Sequence, residues 1–266
     1  MREFNPQSIF GPRVDNYIQY RPGYPSGVLD ALRSGCGLAQ DWRVADIGSG
    51  TGLLARLFLD FGCTVTGVEP NEEMRRAGEQ ILAKFPNFTS LPGNAEATGL
   101  PAASTDLISA GMAFHWFDIP RARLEFRRIL IPGGWVALVW NRMLPAPDPF
   151  MQAYTRLVLE YCPGWTETQR RDEPGNPLDL AGFFGAEYTR AAFPIEQRFD
   201  WDGLRGRTLS IAHVPQPGDP ACQALFARLR EVFDRFQTAG GIAIQYETEV
   251  YYGRLASEAR NSSSPT

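Results

Sequence analysis

Asp46, Glu69 and three glycines at alternate positions, Gly48, Gly50 and Gly52, are the residues whose types and spacing first point to chemistry. Val44-Ala45-Asp46-Ile47 is a short apolar run carrying an acid, the glycine turn follows, and Leu53 to Leu59 has the density of a buried amphipathic helix. Strand, tight glycine turn and helix together open a nucleotide-binding βαβ unit. A side chain in that turn would fill the space where a ligand must approach the backbone. Spacing then selects the ligand. A dinucleotide fingerprint needs glycine at its sixth position, where this chain has Leu53, so Asp46 followed by Gly-x-Gly-x-Gly fits S-adenosylmethionine better than a pyrophosphate. Glu69 closes the next apolar segment, Thr64 to Val68, and Pro70 ends it. A carboxylate about 20 residues beyond the first glycine falls at the tip of the neighbouring strand, where it can accept both ribose hydroxyls.

The ordered set Asp46-x-Gly48-x-Gly50-x-Gly52, Glu69-Pro70, Gly93-Asn94-Ala95-Glu96, Ala113-Phe114-His115-Trp116-Phe117 and Arg128-Ile129-Leu130-Ile131-Pro132-Gly133-Gly134 resembles class I S-adenosylmethionine-dependent methyltransferases. The match is closest to the small-molecule branch that includes trans-aconitate methyltransferase-like proteins. It covers residues 14 to 141 and extends to Arg21-Pro22-x-Tyr24-Pro25 and to Tyr246-x-Thr248-x-Val250-Tyr251-x-Gly253-Arg254-Leu255. The resemblance implies that Asp46 helps hold the methionine end of the cofactor, while Gly48, Ser49, Gly50 and Gly52 shape the turn beneath it. It puts Glu69 and Pro70 at the ribose and Asn94 and Ala95 at the adenine. Many relatives have Asp at the Asn94 position; Asn keeps a carbonyl oxygen able to accept the adenine amino proton. The N-terminal segment with Tyr17, Tyr20 and Arg21 tends to close over the cofactor in such enzymes, and a guanidinium there can pair with the cofactor's carboxylate.

Methyl transfer is an in-line displacement at a cationic sulfonium carbon, so alignment supplies much of the acceleration. Phe114 or Trp116 could offer an aromatic face to the cation, and His115 could act as general base if the acceptor is a hydroxyl. A structural hydrogen bond for His115 and core packing for Trp116 are the competing readings. His213 stands where relatives more often have Ser-x-Ser-Tyr-x-Pro, which suggests an altered acceptor pocket shared with Tyr17, Phe114, Trp116 and Trp201; a surface or supporting histidine is the other reading.

The elements that must position these groups follow the expected alternation. Helices are expected near Asp15 to Tyr20, Val28 to Ser34, Asn71 to Lys84, Arg121 to Leu130, Phe150 to Tyr161 and Ala221 to Gln237. Strands are expected at Phe88 to Leu91, Thr105 to Ala110, Trp135 to Trp140, Phe193 to Phe199 and Ile242 to Tyr252, besides the first two. Alternation of this kind gives an α/β, Rossmann-like, mostly parallel seven-stranded sheet with helices on both faces. The family adds an antiparallel C-terminal edge strand. The expected organisation is one domain over residues 1–255, with a cofactor core at about 36–141, an N-terminal lid at 1–25 and a substrate-side insertion at about 145–220. Residues 163 to 177 are expected to form an exposed loop, and 256–266 a disordered tail.

Composition narrows the partners. A net charge of −4 over 266 residues provides no broad basic field for nucleic acid, and an amino-methylating nucleic-acid enzyme would usually show an Asn/Asp-Pro-Pro-aromatic loop where Met112-Ala113-Phe114-His115 stands. Two histidines and four scattered cysteines, with no Cys-x-x-Cys, show no metal-ligand spacing and no disulfide framework. The absence of an apolar leader or a membrane-length run makes a cytoplasmic protein the expectation, with no membrane partner. The leading reading is a methyltransferase with a small-molecule acceptor. A same-fold cofactor-binding protein without methyl transfer (a regulator or a pericyclic-reaction enzyme) is the alternative, and a nicotinamide oxidoreductase is disfavoured by Leu53. The sequence is silent on the acceptor and on oligomeric state.

Overall fold

A computed structural model describes residues 13–144, 148–162 and 180–256 of the chain. In chain order these form α1 (Val14–Tyr20), α2 (Gly27–Cys36), β1 (Arg43–Ile47), α3 (Leu53–Phe61), β2 (Thr64–Val68), α4 (Glu72–Leu82), β3 (Phe88–Leu91) and β4 (Thr105–Gly111). There follow α5 (Ile119–Ile129), β5 (Leu130–Met143), α6 (Pro149–Tyr161), α7 (Leu180–Phe184), β6 (Tyr188–Phe199), α8 (Trp201–Leu209), α9 (Pro220–Phe236) and β7 (Ile242–Gly253). The expected loop at 163–177, the expected tail beyond residue 256 and the first part of the expected lid lie outside the described residues.

Seven strands pair in the order β3-β2-β1-β4-β5-β7-β6. The first five are parallel, and β7 runs antiparallel to both β5 and β6. The C-terminal strand is thus the antiparallel one, but its expected place at the edge belongs to β6. The reason is visible in burial: β7 alternates buried and half-buried positions as a strand with two neighbours does, whereas β6 is largely exposed and carries Pro194, which an edge strand tolerates. Pro132-Gly133-Gly134 stops α5 as expected. The three residues then loop out of β5, whose pairing with β4 jumps from Thr105↔Leu130 to Leu107↔Trp135.

Apolar side chains cover both faces. Leu32 of α2, Leu54 and Phe58 of α3 and Leu82 of α4 pack one face with Val44, Val65 and Val139. Phe126 and Ile129 of α5 and Phe183 and Phe184 of α7 pack the other with Ile47, Ile108 and Leu138. A third cluster joins α6, α8 and α9 to the start of β7 through Tyr154, Leu204, Leu229 and Tyr246. Aspartates at helix starts fix where each helix begins: Asp118, Asp148, Asp200 and Asp219 each accept a backbone amide of the first turn. This frame leaves the carboxyl ends of β1, β2, β4 and β5 free to build a cleft, as open α/β sheets do.

Candidate active site

β1 ends at Ile47, and the turn that follows is stitched to β2. The amides of Gly48 and Ser49 both donate to the Val68 carbonyl, at 2.8 and 3.2 Å. Gly48 has φ +68° and a methyl there would sit 2.6 Å from the Ala113 Cβ, so only glycine allows the β1 turn and the β4 loop to close on each other. Gly50 and Gly52 share the left-handed backbone, and α3 starts from Gly52.

Glu69 locks this turn to β2. Its Oε2 accepts the Gly50 amide and its Oε1 the Asn71 amide, each at 2.8 Å. Burial raises its carboxyl above the usual range, against the lowering effect of those two amides. Asn71 in turn caps α4, its side chain accepting the Met74 amide at 3.0 Å. Asp46, one residue before the end of β1, is 1 % exposed. Its Oδ1 accepts the Ser109 hydroxyl at 2.8 Å, while Oδ2 is buried with no hydrogen-bond partner. Burial pushes this carboxyl up to about 7, with the nearby Glu69 charge acting in the same direction and the Ser109 bond opposing it.

These groups surround a cleft of about 260 Å³. Gly48, Gly50, Glu69, Pro70, Asn94 and Ala95 line it. The Asn94 Oδ1 accepts the amides of Ala97 (2.8 Å) and Glu96 (3.2 Å), closing a local turn. Tyr17 from α1 and Trp116 from the loop after β4 line it as well.

Comparison with known proteins settles the family. Residues 45–138 match the profile of a methyltransferase domain family. An uncharacterized methyltransferase-like protein of Schizosaccharomyces pombe is 32% identical over 250 residues, covering 91% of this chain and 93% of the relative. The chain belongs to the class I S-adenosylmethionine-dependent methyltransferases. An uncharacterized methyltransferase of Mycobacterium tuberculosis is 38% identical over 132 residues, so the chain spans about half the length of that relative (50% of this chain, 51% of the other). The fold is shared with a provisionally assigned type II methyltransferase from Anaeromyxobacter dehalogenans, with a TM-score of 0.59 and 23% identity over 89% of this chain and 98% of the other.

S-adenosylmethionine is the cofactor of this methyltransferase family, and the cleft's chemistry fits it. The unpartnered Asp46 Oδ2, buried beneath the turn, suits the ammonium of the methionine end, and Glu69 faces a cleft lined by the polar Asn71, Asn94 and Glu96 as well as the apolar Met74, Met112 and Phe117. Of the residues singled out by sequence, Tyr17, Gly48, Gly50, Glu69, Pro70, Asn94, Ala95 and Trp116 line the methyltransferase cleft. Asp46, Ser49 and Gly52 lie beneath or beside its turn rather than on its wall. Phe114 is buried against Phe183, Phe117 and Trp140, ring centres 4.7, 5.8 and 6.1 Å away. His115 is 7 % exposed, its ring 4.7 Å from that of Trp116, and it backs the cleft rather than lining it.

Trp201 begins α8 and packs edge-on against Phe233 at 5.6 Å; His213 follows the same helix, and neither touches the cleft. Arg21 donates to the Ser210 carbonyl at 2.8 Å, and Tyr20 lies over Gly206 of α8. Met74, Met112 and Phe117 line the cleft without having been singled out. Met74 lies in the first turn of the helix expected from Asn71 to Lys84. Met112 has φ +53°, an uncommon backbone state for a non-glycine residue that no sequence pattern announces. Among the described residues no group of metal-ligating side chains comes together, and no helix is long and apolar enough to cross a membrane.

Proposed function

We propose that this protein transfers the methyl group of S-adenosylmethionine to a small-molecule acceptor. The observation that carries the reading is that the cofactor-type groups, Glu69 and the glycine turn, share one cleft with Tyr17 and Trp116. The cofactor supplies an electrophilic methyl on a sulfonium. The chain's own residues hold and orient it: Glu69 accepts the ribose hydroxyls, Asn94 and Ala95 border the adenine, and Asp46 with the Gly48–Gly50 backbone holds the amino-acid end. Trp116 and Tyr17 exclude water and set an aromatic face beside the cation. His115 supports Trp116 from behind the wall and serves as a proton acceptor only for a hydroxyl acceptor that reaches past that ring.

A net charge of −4 supports a small molecule over a polyanion. The arrangement is that of one domain with an N-terminal lid, in the branch that includes trans-aconitate methyltransferase-like proteins. Four unpaired cysteines, three of them buried, suit a reducing cytoplasm. The test is transfer of labelled methyl from S-adenosylmethionine to the small-molecule fraction of a cell extract. Label in a compound of low mass supports the proposal; cofactor binding with no label transferred supports the alternative of a binding protein without methyl transfer.

A further inference from the structure

Two arginines, the half-buried Arg21 at the end of α1 and Arg207 in α8, come together in a polar cluster with Tyr17, Tyr154 and Tyr246. Arg207 is 3 % exposed. Its Nε donates to the Tyr246 hydroxyl at 2.8 Å and its Nη1 to the Ser210 hydroxyl at 3.4 Å. Arg21 donates to the Ser210 carbonyl at 2.8 Å, so both guanidinium groups hold the same residue. The Arg21 Nε is buried with no acceptor. Phenols, carbonyls and the Met143 thioether complete the surroundings, and among the described residues no carboxylate pairs with either arginine.

Two buried carboxylates elsewhere in the fold carry arginine partners. Glu249, 3 % exposed, is paired by Arg142 and by Arg190, and Glu125, 9 % exposed, by Arg128. Two like charges brought together out of water, with no counter-ion among the described residues, leave a charge that an anionic ligand can balance. Burial, and then the Arg207 charge, bring the Arg21 guanidinium down to about 10. The pair adjoins the cleft through Tyr17, which lines the cleft while its ring centre lies 5.0 Å from the Arg21 guanidinium carbon.

We propose that Arg21 and Arg207 form an oxyanion subsite that takes the carboxylate or phosphate group of the methyl acceptor. This rests on the methyltransferase reading and names the acceptor's chemical class: a small molecule with an anionic handle. The tyrosine hydroxyls supply neutral donors around the two guanidinium forks, and Ser210 sets their spacing. Carboxylate and phosphate present the same oxygen geometry to such forks. The cofactor's own carboxylate is the competing source of that charge.

The test uses the whole protein saturated with S-adenosylhomocysteine, with succinate and inorganic phosphate as anionic probes and succinamide as the neutral control. Calorimetry should show saturable binding of at least one anion and none of succinamide, with Arg207→Met weakening the anion by about tenfold or more. S-adenosylhomocysteine should bind Arg207→Met within about threefold of wild type, which also shows that the variant folds. If Arg207→Met does not fold, Arg21→Met carries the same comparison. The proposal is overturned if neither anion binds at about 50 mM, or if the variant binds it as well as wild type. A variant that loses S-adenosylhomocysteine and the anion in equal measure also overturns it, assigning the pair to the cofactor's carboxylate. Failure of wild type to bind S-adenosylhomocysteine would instead remove the methyltransferase reading, so the two failures are separable.

Discussion

The Glu69 carboxylate accepts the Gly50 amide at 2.8 Å, so the acid at the tip of β2 and the turn after β1 are one hydrogen-bonded unit. Glu69 therefore has a structural role before any ligand arrives, and its replacement affects both the turn and the ribose. Glu69→Ala should weaken S-adenosylhomocysteine by roughly 1.5–3 kcal/mol, tenfold or more in Kd, because a charged acceptor is lost. Calorimetry on the variant checks this; an unchanged Kd would detach Glu69 from the cofactor.

The buried Asp46 makes a pH prediction. Its folded pKa of about 7 lies above the ordinary carboxylate value near 3.9. Between those two values the folded apoprotein holds a proton that the unfolded chain has released, so this group's contribution to stability falls as pH rises through that window. Asp46→Asn should flatten the profile and make the apoprotein melt higher than wild type at pH 8. Parallel Tm profiles for the two proteins from pH 4 to 8 would show that Asp46 is not the group responsible.

Gly206 tests what holds α1 in place. An added methyl would overlap the Tyr20 ring, and α1 has no buried residue of its own to keep it in place. Gly206→Ala should therefore release α1 at a cost of about 1–3 kcal/mol, raising hydrogen exchange over residues 14–21 while the sheet stays protected. Protection of α1 equal to wild type would show that α1 is held by its other bonds, such as Arg21 to the Ser210 carbonyl.

Trp116 and Trp201 should separate function from packing. Trp116→Ala opens the cleft wall and should lower turnover while leaving stability within about 1 kcal/mol of wild type. Trp201→Ala removes a ring packed on Phe233 and should destabilise by about 3 kcal/mol or more, reaching the acceptor only through α8. His115→Ala should abolish turnover for a hydroxyl acceptor and spare a carboxylate acceptor, which has no proton to lose. Equal kinetic losses in the Trp116 and Trp201 variants would contradict this division.

The parts of the molecule that were legible in sequence are those where one residue has one physical job. Gly48, Gly50 and Gly52 announce a turn, Glu69 before Pro70 announces a strand tip, and Asn71 with two following acids announces a capped helix; the structure has all of them. α8 was not legible, because its buried positions include Gly203, Gly206, Arg207 and Thr208 rather than an apolar stripe. β6 begins at Tyr188, five residues earlier than expected, since Tyr188 to Ala192 are half exposed and show no alternation. The position of β7 inside the edge depends on where β6 pairs, which is a long-range matter. Arg207 went unnoticed for the same reason as α8: its partners Tyr246 and Ser210 come from different elements.

We propose that the cleft lined by the glycine turn, Glu69 and Trp116 is the methyltransferase cofactor site. Titrating the purified protein with S-adenosylhomocysteine and, separately, with NADH tests it most directly. Saturable S-adenosylhomocysteine binding that Glu69→Ala weakens, with no heat from NADH, is the predicted result; tight NADH binding with no response to S-adenosylhomocysteine or S-adenosylmethionine would contradict it.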